Sequence, residues 1–325
     1  MTAPPPDPVP EPAVRTVDLH KTYTSPRGDV PAVQGLDLAV APGEFFGLLG
    51  PNGAGKSTTI GMLTTLVVPT SGRAEVCGFD VAARPVEVKR RIGVASQNNT
   101  LDNELTGAEN LEFRGRFFGL TAKEARRRAD ELLEMFGMGD RRDGKPFELS
   151  GGQARRLMIC RALMHRPEVL FLDEPTAGLD PQTRVNLWEV LRDLQKQGQT
   201  ILLTTHYMEE AEALCDRVAV VDHGKLLASG TVAELKATAG ADTVITVGYD
   251  GPVPEGVAAL RERTGVERVE VTDGQVRVFA RAPEGVLGEL VAAGSAAGIG
   301  VTDASQLRPS LETVFLTLTG REYRE

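Results

Sequence analysis

Phe45-Phe46-Gly47-Leu48-Leu49-Gly50-Pro51-Asn52-Gly53-Ala54-Gly55-Lys56-Ser57-Thr58 is an apolar run that breaks into a glycine-rich turn and closes on Lys-Ser-Thr. Phe45 to Leu49 predicts a short buried strand, and Lys56 to Leu66 has the composition of a helix, so the stretch reads strand, loop, helix. Gly50 to Ser57 satisfies the phosphate-loop pattern in the context that gives that pattern its mechanism. Glycines let backbone N–H groups approach phosphate oxygens, and the start of the helix adds favourable partial charge. Lys56 is expected to reach the β and γ phosphates of a nucleotide, the Ser57 hydroxyl to bind Mg²⁺, and Thr58 to add a phosphate contact.

Outward from the loop, Ile92–Ala95, Val169–Leu172, Thr200–Thr204 and Val218–Val221 read as further strands separated by helical segments, the alternation of an α/β fold with a largely parallel sheet. The third of these five strands, Val169 to Leu172, runs into two adjacent carboxylates. Neighbouring strand positions point to opposite faces, so the two are expected to do different jobs: Asp173 holding Mg²⁺ and Glu174 acting as general base for an attacking water. Between Gln97 and Ser150 the pattern turns helical. Capping boxes at Thr106/Glu109 and Thr121/Glu124 mark helix starts, with Gly119 and Gly137 as stops. The Arg126–Arg128 run reads as a solvated helix face, and Phe113, Phe117 and Phe118, at helical spacing, read as buried packing. Ser150, Gly151 and Gly152 precede a helix expected from Gln153 to Met164, an exposed helix start suited to an anion. Asp180 makes an N-cap with Pro181 at the first helical position, and Gly198 ends that helix.

The chain has 325 residues and 41% apolar content, enough for one large domain and a small one. Its formal net charge of −9 gives no electrostatic reason to bind nucleic acid. Cys77, Cys160 and Cys215 lie far apart without metal-ligand spacing, so free thiols and a reducing compartment are expected. No apolar run approaches the roughly 18 residues needed to span a bilayer, and no signal-peptide pattern opens the sequence, so the chain is expected not to cross a membrane. Six of the first twelve residues are proline, and 1–13 is read as a disordered tail. Residues 14–236 form the expected nucleotide-binding domain, with a helical subdomain over about 98–150. A third capping box, Thr231/Glu234, precedes a second unit, 237–325. Its pattern is strand Val244–Tyr249, helix Glu255–Arg263, hairpin Val266–Phe279, helix Glu284–Ala297 and strand Ile299–Thr302, which predicts a small α+β module of ferredoxin-like type. No internal repeat of the first unit is visible, so one chain offers one nucleotide site.

Leu149-Ser150-Gly151-Gly152-Gln153 resembles the signature sequence of the ABC ATPase superfamily, which other phosphate-loop enzymes lack. The resemblance runs from about Val14 to Leu235 with all motifs in order. It implies that the chain binds ATP with Mg²⁺ and hydrolyses it, that two copies close head to tail with each ATP between the phosphate loop of one and Ser150–Gln153 of the other, and that the dimer sits on the cytoplasmic face of the cell membrane against a separately encoded integral membrane subunit. Gln97 resembles the glutamine that senses Mg²⁺ and the attacking water. Asp180-Pro181 resembles the family's aspartate loop, His206 the switch histidine at the γ-phosphate, and Tyr23 the aromatic that stacks on adenine. Ser96 departs from many relatives at the residue before Gln97. Leu101–Leu111 and Ser310–Gly320 are similar to the daunorubicin-resistance type of multidrug exporter subunit, which implies export of a drug or other hydrophobic compound. Three rival readings are weighed against this one. A soluble ABC ATPase of DNA repair or translation usually has a coiled-coil insertion or two ATPase units, neither of which is visible. An importer ATPase differs mainly in direction of transport. A small-molecule kinase has no use for Leu149–Gln153.

Overall fold

The computed structural model describes residues 11–26, 28–238, 243–307 and 310–319. Most of the expected tail, residues 1–10, and the end of the chain from Gly320 lie outside the described residues. The described chain divides into two compact units, with the break between Val232 and Ala233.

The first unit runs β1 (Val14–Tyr23), β2 (Val30–Val40), β3 (Phe45–Leu49), α1 (Lys56–Leu63), β4 (Ser71–Val76), β5 (Phe79–Asp80), α2 (Pro85–Arg91), β6 (Ile92–Ala95), α3 (Gly107–Phe117), α4 (Ala122–Met135), α5 (Gly151–Leu163), β7 (Val169–Asp173), α6 (Pro181–Lys196), β8 (Thr200–Thr205), α7 (Met208–Leu214), β9 (Arg217–Asp222) and β10 (Lys225–Thr231). Among the described residues the strands form two sheets. One has the order β10-β9-β3-β8-β7-β6, parallel from β9 to β6 with β10 antiparallel at its edge. The other is the antiparallel sheet β2-β1-β4-β5. Every residue of β3, β7 and β8 is buried, because parallel strands covered on both faces need continuous apolar sequence. Phe46, Leu48, Phe171 and Leu202 join Ile60, Met62 and Leu63 of α1 and Val14, Leu19 and Val40 of the second sheet in one core. The helix that follows the phosphate loop is thereby packed against both sheets. It ends at Leu63, three residues short of the expected Leu66, where Thr65 turns to φ +64°.

The helices α3, α4 and α5 pack on one another. Both expected capping boxes are closed in both directions: the Thr106 hydroxyl accepts from the Glu109 N–H at 3.2 Å and the Glu109 carboxylate from the Thr106 N–H at 2.8 Å, with 3.3 and 2.9 Å at Thr121 and Glu124. Each cap contributes about 1 kcal/mol of helix stability. The aromatic residues of α3 correct the sequence reading: Phe113 is 67% and Phe117 73% exposed. The inward face of α3 is Ala108, Leu111 and Gly115, and the small Ala108 and Gly115 let the neighbouring helices approach, so the two phenylalanines fall on the outer face. Phe118, half-buried, stacks on His165 with centroids 3.8 Å apart. The arginine run divides as well. Arg126 and Arg127 are exposed, while Arg128 lies inward and donates to the Leu163 carbonyl at 3.4 Å.

The second unit takes in most of α8 (Val232–Thr238) and then β11 (Thr243–Tyr249), a 3₁₀ segment Glu255–Glu262, β12 (Val266–Thr272), β13 (Gln275–Ala280), α9 (Val286–Ala296), β14 (Val301–Leu307) and α10 (Leu311–Thr319). Its described strands form an antiparallel sheet of order β12-β13-β11-β14, the ferredoxin-like order. Ile245, Val247, Val276, Val278, Val286 and Leu290 build its core. The segment expected as an α-helix from Glu255 is 3₁₀ instead, with Val257 and Leu260 buried. The last strand is longer than expected, reaching Leu307. On α10, Leu311, Val314 and Phe315 are buried and Leu318 is exposed.

Candidate active site

The phosphate loop lies at the end of β3. A Cβ at Gly55, where φ is +97°, would stand 2.3 Å from the Ala32 carbonyl oxygen, and one at Gly50 would stand 2.2 Å from the Val221 carbonyl oxygen. Only glycine fits where backbone passes that close. The Lys56 ammonium donates to the carbonyls of Gly50 at 2.7 Å and Pro51 at 3.0 Å, tying the helix start to the first residues of the loop. Asn52 and Gly53 are exposed at the tip, Thr58 is half-buried, and Ala54 is buried with its carbonyl accepting from the Gly224 N–H at 3.1 Å.

Asp173, at the end of β7, accepts from the Ser57 hydroxyl at 3.1 Å and from the Thr204 hydroxyl at 2.6 Å through the same oxygen. Glu174 has φ +48°, a left-handed conformation costly for a residue with a side chain. Its N–H is fixed by donation to the Thr204 carbonyl and hydroxyl, both at 3.1 Å. Strand alternation therefore ends at Asp173, and both carboxylates meet the loop: Asp173 through Ser57, Glu174 through Lys56. One Glu174 oxygen lies 3.6 Å from the Lys56 ammonium and 3.3 Å from His206 Nδ1. The other accepts from the Gln97 amide at 3.2 Å. Lys56 is 4% and Glu174 9% exposed at the side chain. Burial holds the Lys56 pKa below the usual lysine range, with the negative charge of Glu174 and then Asp173 opposing that shift.

These residues fit a nucleotide phosphate with Mg²⁺. Ser57 and Asp173 offer a hydroxyl and a carboxylate side by side, hard oxygen donors of the kind Mg²⁺ takes when the rest of its shell is phosphate and water. A cluster of three or more His, Cys, Asp or Glu able to hold a metal alone does not occur among the described residues.

The family model for ABC transporters matches residues 33–177. The chain is 45% identical over 324 residues to the daunorubicin resistance ATP-binding protein DrrA3 of Streptomyces coeruleorubidus, with 95% of this chain and 96% of that one covered. It belongs to the ABC transporter ATP-binding proteins. It is 42% identical over 311 residues to the Nod factor export ATP-binding protein I of Cupriavidus metallidurans, covering 95% of this chain and 97% of that one. Among solved structures it resembles a dimeric ATP-binding cassette in a post-hydrolysis state bound to ADP and Pi, at 29% identity and TM-score 0.63, with 67% of this chain and 98% of that chain covered. This chain is accordingly an ATP-binding, ATP-hydrolysing subunit of an ABC transporter.

The remaining residues of this ABC subunit singled out in the sequence stand apart from the loop cluster. Ser150 caps α5, its hydroxyl accepting from the Gln153 N–H at 3.3 Å while the Gln153 amide oxygen accepts from the Ser150 N–H at 3.0 Å. The two glycines are the first residues of α5, which starts at Gly151 and not at the expected Gln153. Ser150 and Gly151 are exposed and Gly152 is buried. Asp180 caps α6 by accepting from the Thr183 N–H at 3.0 Å, and hydrogen bonds from Thr183 hold its pKa low. Tyr23 closes β1 with its ring exposed and the Lys21 ammonium 5.1 Å from the ring centre.

Three residues near the site escaped the sequence reading. Thr204, at the end of an apolar strand, orients both acidic residues; a threonine closing a Leu-rich run before His206 is the signal that would have found it. Glu210 on α7 is fully buried, accepts from the Trp188 indole N–H at 3.1 Å, and has its pKa pushed up by burial. Arg155 on α5 is buried directly behind Asp173 and Glu174. Nothing in the sequence separates it from exposed arginines.

Proposed function

We propose that this chain powers the export of a drug-like or other hydrophobic compound through a separately encoded integral membrane subunit. It does so as an ATP-sandwich homodimer on the cytoplasmic face of the cell membrane. The observation that carries the proposal is the convergence of Lys56, Gln97 and His206 on Glu174 beside the Ser57–Asp173 pair. Export is supported by the roles in the names of the daunorubicin-resistance and Nod factor export relatives. No helix among the described residues is long and apolar enough to cross a membrane, so the proposal assigns passage of the cargo to another chain.

The geometry supports a role for each residue of the site. The phosphate loop from Gly50 to Thr58 binds the phosphates of ATP through backbone N–H groups, and the Lys56 ammonium turns from Glu174 to the β and γ oxygens. Ser57, Asp173 and Gln97 would hold Mg²⁺, which would supply charge neutralisation at the phosphate oxygens. Glu174 takes the proton of the attacking water onto a carboxylate oxygen. His206 and Gln97, on either side of it, hold that carboxylate and the water in line. Tyr23 stacks on the adenine, an arrangement supported by the course of the adjacent strand β2, whose Ala32 abuts Gly55. Ser150, Gly151 and the start of α5 serve the nucleotide held by the other copy, since the Ser150 and Gln153 hydrogen bonds run to each other and leave the end of the helix open. Asp180 borders the same interface. The domain carrying these groups is 14–236, and 237–325 stabilises the dimer or its docking without chemistry.

Purifying the tagged chain from membranes in detergent and identifying by mass whatever integral membrane protein accompanies it tests the proposal. A polytopic membrane protein in stoichiometric amount supports it. Recovery with nucleic acid or ribosomes, or with a membrane protein of importer type delivering substrate inward, contradicts it.

A further inference from the structure

Arg155 is 6% exposed, on the helix that begins at Ser150, and its guanidinium is spent entirely on backbone carbonyls. Nε donates to Pro175 at 2.9 Å. One terminal nitrogen donates to Ser96 and, at 3.4 Å, to Gln97, and the other to Asp173 and Glu174. A guanidinium has five N–H donors in a rigid planar fork, and here each finds one carbonyl. Those carbonyls belong to two separate chain segments, the loop after β6 that carries Gln97 and the end of β7 that carries Asp173 and Glu174. Burial lowers the Arg155 pKa, and the charges of Asp173, Glu210 and Glu174 oppose the shift.

A fully buried cation with no carboxylate partner in direct contact would be costly for stability alone. What it does here is fix geometry. Glu174 sits in a left-handed conformation at a strand end, and Gln97 is an exposed loop residue whose amide must meet Glu174. Thr204 of β8 holds the Glu174 N–H, and neither position is set by hydrogen bonding within its own segment. We propose that Arg155 is a positioning residue for hydrolysis: it locks the Gln97 loop to the Asp173–Glu174 strand end and ties both to α5. In that way the helix whose start would face the partner's nucleotide is mechanically joined to the two side chains that act on the chain's own. Arg155 touches neither substrate nor the reacting atoms, and its hydrogen bonds run to the Gln97 loop and the end of β7, not to the phosphate loop at 50–58.

The inference rests on the roles given to Gln97 and Glu174, and the test separates the two. Arg155→Lys keeps the charge but offers three donors in place of five, and Arg155→Met keeps the length and apolar stem with none. For each, ATP affinity is measured by equilibrium binding, and kcat and KM by phosphate release, in the full-length chain. Glu174→Gln is run alongside. The expected result is a kcat lower by about 10-fold in Arg155→Lys and 100-fold in Arg155→Met, with ATP affinity within about threefold of wild type in both. Equal falls in affinity and kcat, tracking a lower melting temperature, would make Arg155 a fold residue and overturn the proposal. A kcat within threefold of wild type in Arg155→Lys and Arg155→Met would overturn it too. If Arg155→Met does not fold, the Arg155→Lys split between kcat and affinity decides alone. Full turnover in Glu174→Gln would instead remove the reading of the site on which the inference stands.

Discussion

Replacing Glu174 by glutamine removes a proton acceptor and a negative charge while keeping the shape of the side chain. The amide oxygen of Glu174→Gln can still accept from the Gln97 amide, which now donates to Glu174 at 3.2 Å, and the backbone anchor to Thr204 is untouched. Lys56 keeps the Gly50 and Pro51 carbonyls, so the loop should bind ATP as before. The loss falls on the chemical step. A positioned general base is worth roughly 10²–10⁴ in rate, or about 3–5 kcal/mol of barrier at 1.36 kcal/mol per decade. A second consequence is electrostatic. Glu174 is the main charge opposing the burial of Lys56, so the nucleotide-free variant should melt at lower temperature than wild type. Saturating ATP, whose phosphates replace the missing negative charge, should narrow the gap. The assay is phosphate release at saturating Mg-ATP, with nucleotide affinity and melting temperature measured on the same preparation. The variant should collect as an ATP-bound dimer in gel filtration. Steady-state turnover within threefold of wild type would refute the assignment of Glu174 as base.

Thr204→Val removes the hydroxyl that donates to Asp173 at 2.6 Å while keeping shape, so the Mg²⁺ concentration giving half-maximal ATPase should rise about 10-fold; an unchanged Mg²⁺ profile contradicts that role. His165, stacked on Phe118, has its pKa lowered from 6.5 to about 4, first by burial. Its contribution to stability is complete above pH 6.5 and lost as pH falls through 4, because the unfolded chain takes up a proton that the folded chain refuses. Between pH 7 and 4.5 wild type should therefore lose about 2.5 kcal/mol more than His165→Leu in urea unfolding, and equal losses would contradict the shift. A chain ending after Leu235 retains every phosphate and Mg²⁺ ligand named here, so ATP affinity should persist, while copurification with the membrane subunit falls. Lost affinity with intact copurification would reverse the roles assigned to the two units.

The phosphate loop was legible because pattern and context agreed: a fully apolar strand, glycines where backbone crowds the loop, and a helix start at Lys56. The capping boxes were legible for a similar reason, since each is a local exchange between residues three apart. The meeting of both carboxylates was not. Alternation along β7 sends adjacent side chains to opposite faces, and only the left-handed turn at Glu174, imposed by Thr204 from another strand, brings them together. Helical spacing placed Phe113 and Phe117 on one face of α3 but could not tell which face turned inward, and the small residues Ala108 and Gly115 decided it. Arg155 and Arg156 are neighbours of one type, and only tertiary structure buries the first under the catalytic loops.

The central claim is that each working site is built from two chains, Lys56 of one and Ser150 of the other. It is tested most directly by mixing two inactive variants, Ser150→Arg and Lys56→Ala, and measuring ATP hydrolysis at protein concentrations where wild type dimerises. Each variant alone should be dead, because every site in its homodimer carries a defect. In the heterodimer one site combines both intact halves, and the mixture should recover activity, approaching a quarter of wild type when chains pair at random and sites act independently. Mixtures as inactive as either parent, with heterodimer formation verified, would contradict the trans arrangement.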